Sequence, residues 1–176
     1  MKLNRDNILK KYKWLREKKR PFIISADYDG LICASFLNHY LNWELVGYYD
    51  FKSIWLSKEA LQYKNNLIWV DLNILPKAGT SLGGHIVSMN STVPKGFNSS
   101  CNPNILADIN SKKFENKFPF STLIFLLWLH DIQIDNKIAK LFILHSDNTW
   151  MKVQRYPKNI NFWTTPIGSV VNILIN

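Results

Sequence analysis

The chain opens on an amphipathic pattern. Ile8, Leu9, Tyr12 and Leu15 recur at helical spacing among lysines, and Asn4 or Asp6 stands where a helix start needs a cap. After Pro21 comes the apolar run Phe22-Ile23-Ile24-Ser25-Ala26, the pattern of a buried strand, which ends on Asp27 and Asp29. Helical periodicity returns over 31–41, directly after Gly30. Residues 43–49 read as a second strand, 57–63 as a short helix and 66–70 as a third strand ending on Asp71. Gly83-Gly84 precede a fourth strand expected over 85–89, and the Asn/Ser/Pro-rich stretch 90–104 reads as a loop. Residues 119–129 predict an apolar helix with Pro119 just inside its start. Residues 139–144 read as a fifth strand followed by Asp147, and 167–175 as a last strand or helix. Strand and helix alternate at crossover spacing. The prediction is an α/β domain with a mostly parallel central sheet and helices on both faces.

Composition narrows the class. Of 176 residues, 47% are hydrophobic, which argues against intrinsic disorder. The longest apolar run, 123–129, is far short of the ~20 residues of a membrane span. Two cysteines, Cys33 and Cys101, exclude a four-cysteine zinc site and read as buried thiols. No secretory leader pattern opens the sequence, so a cytoplasmic protein without membrane contact is expected. The charge is +9, and residues 1–20 carry nine basic against two acidic side chains. The expected organisation is therefore a basic amphipathic helix over 1–20 on a nearly neutral domain over 21–176. That helix reads either as a solvated face or as a non-specific contact to a polyanion.

Candidate chemistry lies in the aspartates. In a parallel sheet the carboxyl ends of the strands share one edge, where ligands bind at the switch point of strand order. Asp27, Asp29, Asp71 and Asp147 are all expected there. Carboxylates gathered at one edge repel unless protonated or neutralised, and oxygen donors suit Mg²⁺ or Mn²⁺. Taken singly, each aspartate is equally a helix cap or a turn residue. A basic-aromatic cluster of Trp150, Lys152, Arg155, Tyr156 and Lys158 follows Asp147, and Lys152 and Arg155 are its candidate phosphate contacts.

These residues resemble a known family. The segment Phe22 through Ser35, with Asp27-Tyr28-Asp29-Gly30 at its centre, is similar to the first motif of the DHH phosphoesterases. Ile68-Trp69-Val70-Asp71 resembles the second motif, 85–89 the strand before the third, and 144–149 the fourth. The resemblance implies metal ligands Asp27, Asp29, Asp71 and Asp147, with Asp29 and Asp71 catalytic and Mn²⁺ or Mg²⁺ as cofactor. It implies hydrolysis of a phosphodiester or phosphoanhydride in a nucleotide or single-stranded nucleic acid. The Asp-His-His segment is expected near 90–92, where Asn90, Ser91 and Thr92 stand, so Asn90 and Ser91 become candidate substrate contacts. Both histidines are missing there. The alternative is therefore a catalytically degenerate DHH-like module that binds nucleic acid or protein. A homodimer or a separate C-terminal partner domain is a further expectation. Asp27 to Gly30 is also similar to the opening motif of haloacid dehalogenase-type phosphatases, but a helix follows at once and no late acidic pair appears.

Overall fold

The computed structural model describes residues 3–76, 80–89, 96, 97 and 99–175, leaving aside the side chains of 169–175. The leading helix α1 (Arg5–Lys11) is capped by Asn4, whose side chain accepts from the Asn7 amide. The expected helix over 1–20 is shorter: α1 gives way after Tyr12 to a 3₁₀ turn, Lys13–Arg16, yet Ile8, Leu9, Tyr12 and Leu15 all join the main core, together with Leu3. Strand β1 (Pro21–Ser25) leads into α2 (Tyr28–Leu41). That helix begins three residues earlier than the periodicity predicts, because Asp27 is its N-cap and takes the Gly30 amide. Gly30 is required by a close approach: a Cβ there would lie 2.1 Å from the Ser25 carbonyl oxygen. Strands β2 (Glu44–Tyr49), β3 (Ile54–Leu56) and β4 (Ile68–Val70) follow. Between β3 and β4 the expected short helix is a 3₁₀ segment, Glu59–Asn66.

Beyond β4 the structure corrects several expectations. Strand β5 is Thr80–Leu82, so 85–89 is not the fourth strand and Gly83-Gly84 follow a strand rather than precede one. Part of the expected loop 90–104 is ordered as β6 (Ser100–Cys101) and the one-turn helix α3 (Pro103–Leu106). Helix α4 (Thr122–His130) starts after Pro119, with Ser121 as its cap. The run 139–144 is not a strand: it lies inside α5 (Lys137–His145), capped by Asn136. Short apolar runs fit either state, and here a cap and a partner groove select the helix. Helices α6 (Thr149–Arg155) and α7 (Pro157–Ile175) complete the chain, α7 bending at Ile167 just after Pro166.

The sheet order is β3-β2-β1-β4-β5-β6, parallel except for the antiparallel edge strand β3. From β1 the chain moves outward to β2 and then returns to β4 on the other side of β1. The switch point thus lies between β1 and β4. Phe22, Ile24, Ile68, Val70 and Leu82 face the main core, which is filled by α1, α2, α4 and α7. The opposite face is covered by a smaller cluster of Ile23, Val46, Ala60, Leu67 and Leu72, with the 3₁₀ segment instead of α-helices. Helices on both faces were expected; the α-helical layer lies on one. Helix α4 is buried from Thr122 to Leu129, so it runs through the core rather than over it. Helix α5 leaves Ile138, Leu141 and Phe142 exposed. Among the described residues no helix is long and apolar enough to cross a membrane.

Candidate functional site

The switch point carries a compact group of titratable side chains. Asp29 sits in the first turn of α2 and is 2% exposed. Asp71, just past β4, is 1% exposed and adopts a left-handed backbone, φ 65°. Asp147 occupies the turn between α5 and α6, also left-handed at φ 52°. Aspartate tolerates that region better than most residues, which suits both turns. Asp147 therefore reaches this edge from a turn between helices, not from a strand end.

Thr122, the first residue of α4, ties two of these groups together. Its amide donates to Asp29 Oδ2 at 2.7 Å, and its hydroxyl donates to Asp71 Oδ1 at 2.6 Å. Asp29 Oδ1 accepts from the Ser146 hydroxyl at 2.7 Å and the Leu123 amide at 3.3 Å. A carboxylate at a helix N-terminus is favoured by the free amides and the helix dipole. His85 Nε2 lies 2.8 Å from Asp71 Oδ1 and 3.9 Å from Asp147 Oδ2. Lys152 Nζ lies 3.7 Å from the same Asp147 oxygen.

Burial, then the charges of Asp71 and Asp147, push the Asp29 carboxyl well above the usual carboxylate range, against the pull of Ser146 and Thr122. Burial also raises Asp71, while the hydrogen bond and charge of His85 pull it down. For His85 burial alone would favour the neutral ring. The hydrogen bond to Asp71, its charge and those of Asp147 and Asp29 outweigh that, and the imidazole is pushed up to about 9. The site is thus an imidazolium set between two carboxylates, with a third carboxyl held against a helix start. Cys33, whose thiol donates to Asp29 Oδ1 at 3.6 Å, is fully buried and driven upward by burial, so it is inert as a nucleophile.

The structure brings together Asp29, Asp71 and Asp147 and leaves Asp27 aside. Both Asp27 oxygens are engaged locally, one by the Gly30 amide at 2.9 Å and one by the Ser25 hydroxyl at 2.6 Å. Lys152 borders the site, whereas Arg155 is exposed and lines neither adjacent cavity. Asn90 and Ser91 lie outside the described residues. Sequence reasoning missed Thr122, Ser146 and Lys117. Ser121-Thr122 ahead of an apolar helix was a legible cap signal, but nothing local tied it to Asp29, 93 residues away.

The donor set does not suit the divalent ion that the resemblance implies. Among the described residues no group of three or more His, Cys, Asp or Glu side chains is placed to hold a metal ion. Asp29 has its oxygens filled by four donors, and Asp71 Oδ1 is shared by Thr122 and His85. Of the four Asp29 and Asp71 carboxyl oxygens, the buried Asp71 Oδ2 is left without a hydrogen-bond partner. The basic leading segment is not part of this edge. Arg5 pairs with Asp131 at 2.8 Å and lies over Trp128, at the opposite end of α4 from Thr122. Nine helical residues put these ends about 13 Å apart.

No known family model, curated protein or solved structure matches the chain.

Proposed function

We propose that the chain is a DHH-like domain that has given up metal-dependent hydrolysis and serves as a binding module for nucleic acid or its components. The observation that carries this reading is the double tie of Thr122: the two aspartates expected to do catalysis are both bound to this one residue of α4, and Asp71 also to His85, with protons in the place of a metal ion. The resemblance places Asp-His-His near 90–92, outside the described residues; the segment directly after strand β5 is Gly83-Gly84-His85. A Cβ at Gly83, which has φ 143°, would lie 3.1 Å from the Thr122 hydroxyl, and one at Gly84 would lie 2.9 Å from the Phe118 ring. A side chain at Gly83 meets a strained backbone, and one at Gly84 requires the Phe118 ring to shift.

The rival reading, a Mn²⁺- or Mg²⁺-dependent phosphoesterase, draws on the unpartnered Asp71 Oδ2. Thermal denaturation with and without Mn²⁺ separates the two. An ion that binds only the folded state raises the midpoint by mass action. The expected result is no shift at millimolar Mn²⁺ for the wild type and for Asp71→Asn. A midpoint that rises in the wild type and not in Asp71→Asn would restore the metalloenzyme.

A further inference from the structure

Sharing a wall with the site lies a cavity of about 430 Å³, lined by Phe114, Lys117, Phe118, Lys152, Tyr156 and Asn159 and also by Pro119 and the carboxylate of Glu115. Lys117, Phe118 and Lys152 also line a smaller cavity of about 30 Å³, which His85, Thr122 and Asp147 close from the other side. The two lysines therefore stand at the boundary between the acid cluster and the wider cleft.

Three observations describe what the cleft lacks. Lys117 and Lys152 both line the two cavities, and burial, then the Lys152 charge, holds the Lys117 ammonium below its usual range against the pull of Asp147. Asp147 is shared between Lys152 and His85, so the cationic pair is incompletely matched. Phe114 and Tyr156 are each 58% exposed although both line a concavity. Asn159 donates its side-chain amide to the Lys117 carbonyl at 2.8 Å, which holds the two walls of the cleft together. A cationic pair and two exposed aromatic faces in one cleft match an anionic group joined to a flat ring.

We infer that this cleft binds a nucleoside monophosphate, free or at the end of a single strand, with its phosphoryl group on Lys117 and Lys152 and its base between Phe114 and Tyr156. The inference rests on the metal-free binding reading and names the ligand of that module. No bond is made or broken in it.

Isothermal titration of the full chain with adenosine 5′-monophosphate in EDTA tests it. Saturable binding is expected, with adenosine and inorganic phosphate each at least about tenfold weaker, since each carries half of the recognised chemistry. The double variant Lys117→Gln/Lys152→Gln should lose about tenfold or more. Lys112→Gln/Lys158→Gln, which removes the same charge away from the cleft, should leave affinity unchanged. Tyr156 is exposed, so Tyr156→Ala keeps the fold and should weaken the nucleotide severalfold while leaving phosphate alone. A 5′-phosphorylated tetranucleotide that binds more tightly than the mononucleotide assigns the strand end as the ligand; equal binding assigns the free nucleotide. The inference is overturned if the nucleotide binds no better than phosphate, or if both lysine pairs weaken it equally. No nucleotide binding, in a protein that Mn²⁺ leaves unshifted, sinks the ligand and spares the metal-free reading. Binding that appears only with Mn²⁺ sinks both.

Discussion

Thr122 donates its hydroxyl to Asp71 at 2.6 Å while its own amide holds Asp29, so the start of α4 fastens the first turn of α2 to the end of β4. Thr122→Val keeps the amide contact and the side-chain shape but removes the hydroxyl. Asp71 is then left with His85 on Oδ1 and nothing on Oδ2. The expected loss is about 1–3 kcal/mol of stability by urea denaturation, with Thr122→Ser close to wild type.

Stability should peak at mildly acidic to neutral pH, with a different histidine shaping each limb. The folded-state pKa of His85 is raised to about 9, so its contribution is complete below the unfolded value near 6.5 and is lost as pH rises through 9. His130 runs the other way. Burial, then the charges of Arg16 and Lys18, lower it to about 4, so its contribution is present above 6.5 and is lost as pH falls toward 4. Each limb is on the order of 3 kcal/mol. Denaturation from pH 4 to pH 10 should show the alkaline limb flatten in His85→Gln and the acid limb flatten in His130→Phe.

Gly30→Ala should be among the most destabilising single changes. Its Cβ would overlap the Ser25 carbonyl oxygen at 2.1 Å, a backbone atom that cannot swing aside. Either β1 or the start of α2 must move, and Asp29 moves with it. The expected cost is roughly 3 kcal/mol or more, read as the shift in denaturation midpoint.

Leu15 tests whether the basic leading segment is an appendage or part of the core. Its side chain is fully buried in the main cluster. Leu15→Ala should cost about 2–5 kcal/mol in a single cooperative transition. A separate early transition would mean that residues 1–20 fold on their own.

Local pattern carried the elements whose periodicity and flanking chemistry agree. The apolar run 22–26, the Asp-Gly junction and the helical spacing over 31–41 made β1 and α2 legible, and Asn4 with Ile8, Leu9, Tyr12 and Leu15 did the same for α1. It failed where a short apolar run suits either state. Residues 139–144 form a helix because Asn136 caps them and α5 lies against α6 and α7, facts that strand-like composition does not contain. Strand β5 was misplaced because Thr80-Ser81-Leu82 has little apolar signal; it is a strand because β4 and β6 pair with it on either side.

What the sequence alone determined was a mostly parallel α/β fold with aspartates after its strands, since both follow from neighbours a few positions apart. Which aspartates meet, and what each one touches, was decided only by the tertiary structure. Asp27 turned to its own helix, while Asp29, Asp71 and Asp147 were drawn to residues 93, 51 and 62 positions away, Thr122 for the first two and His85 for the third. Hydrogen bonding and charge neutralisation act through space at a few ångströms, and only the folded chain sets those distances.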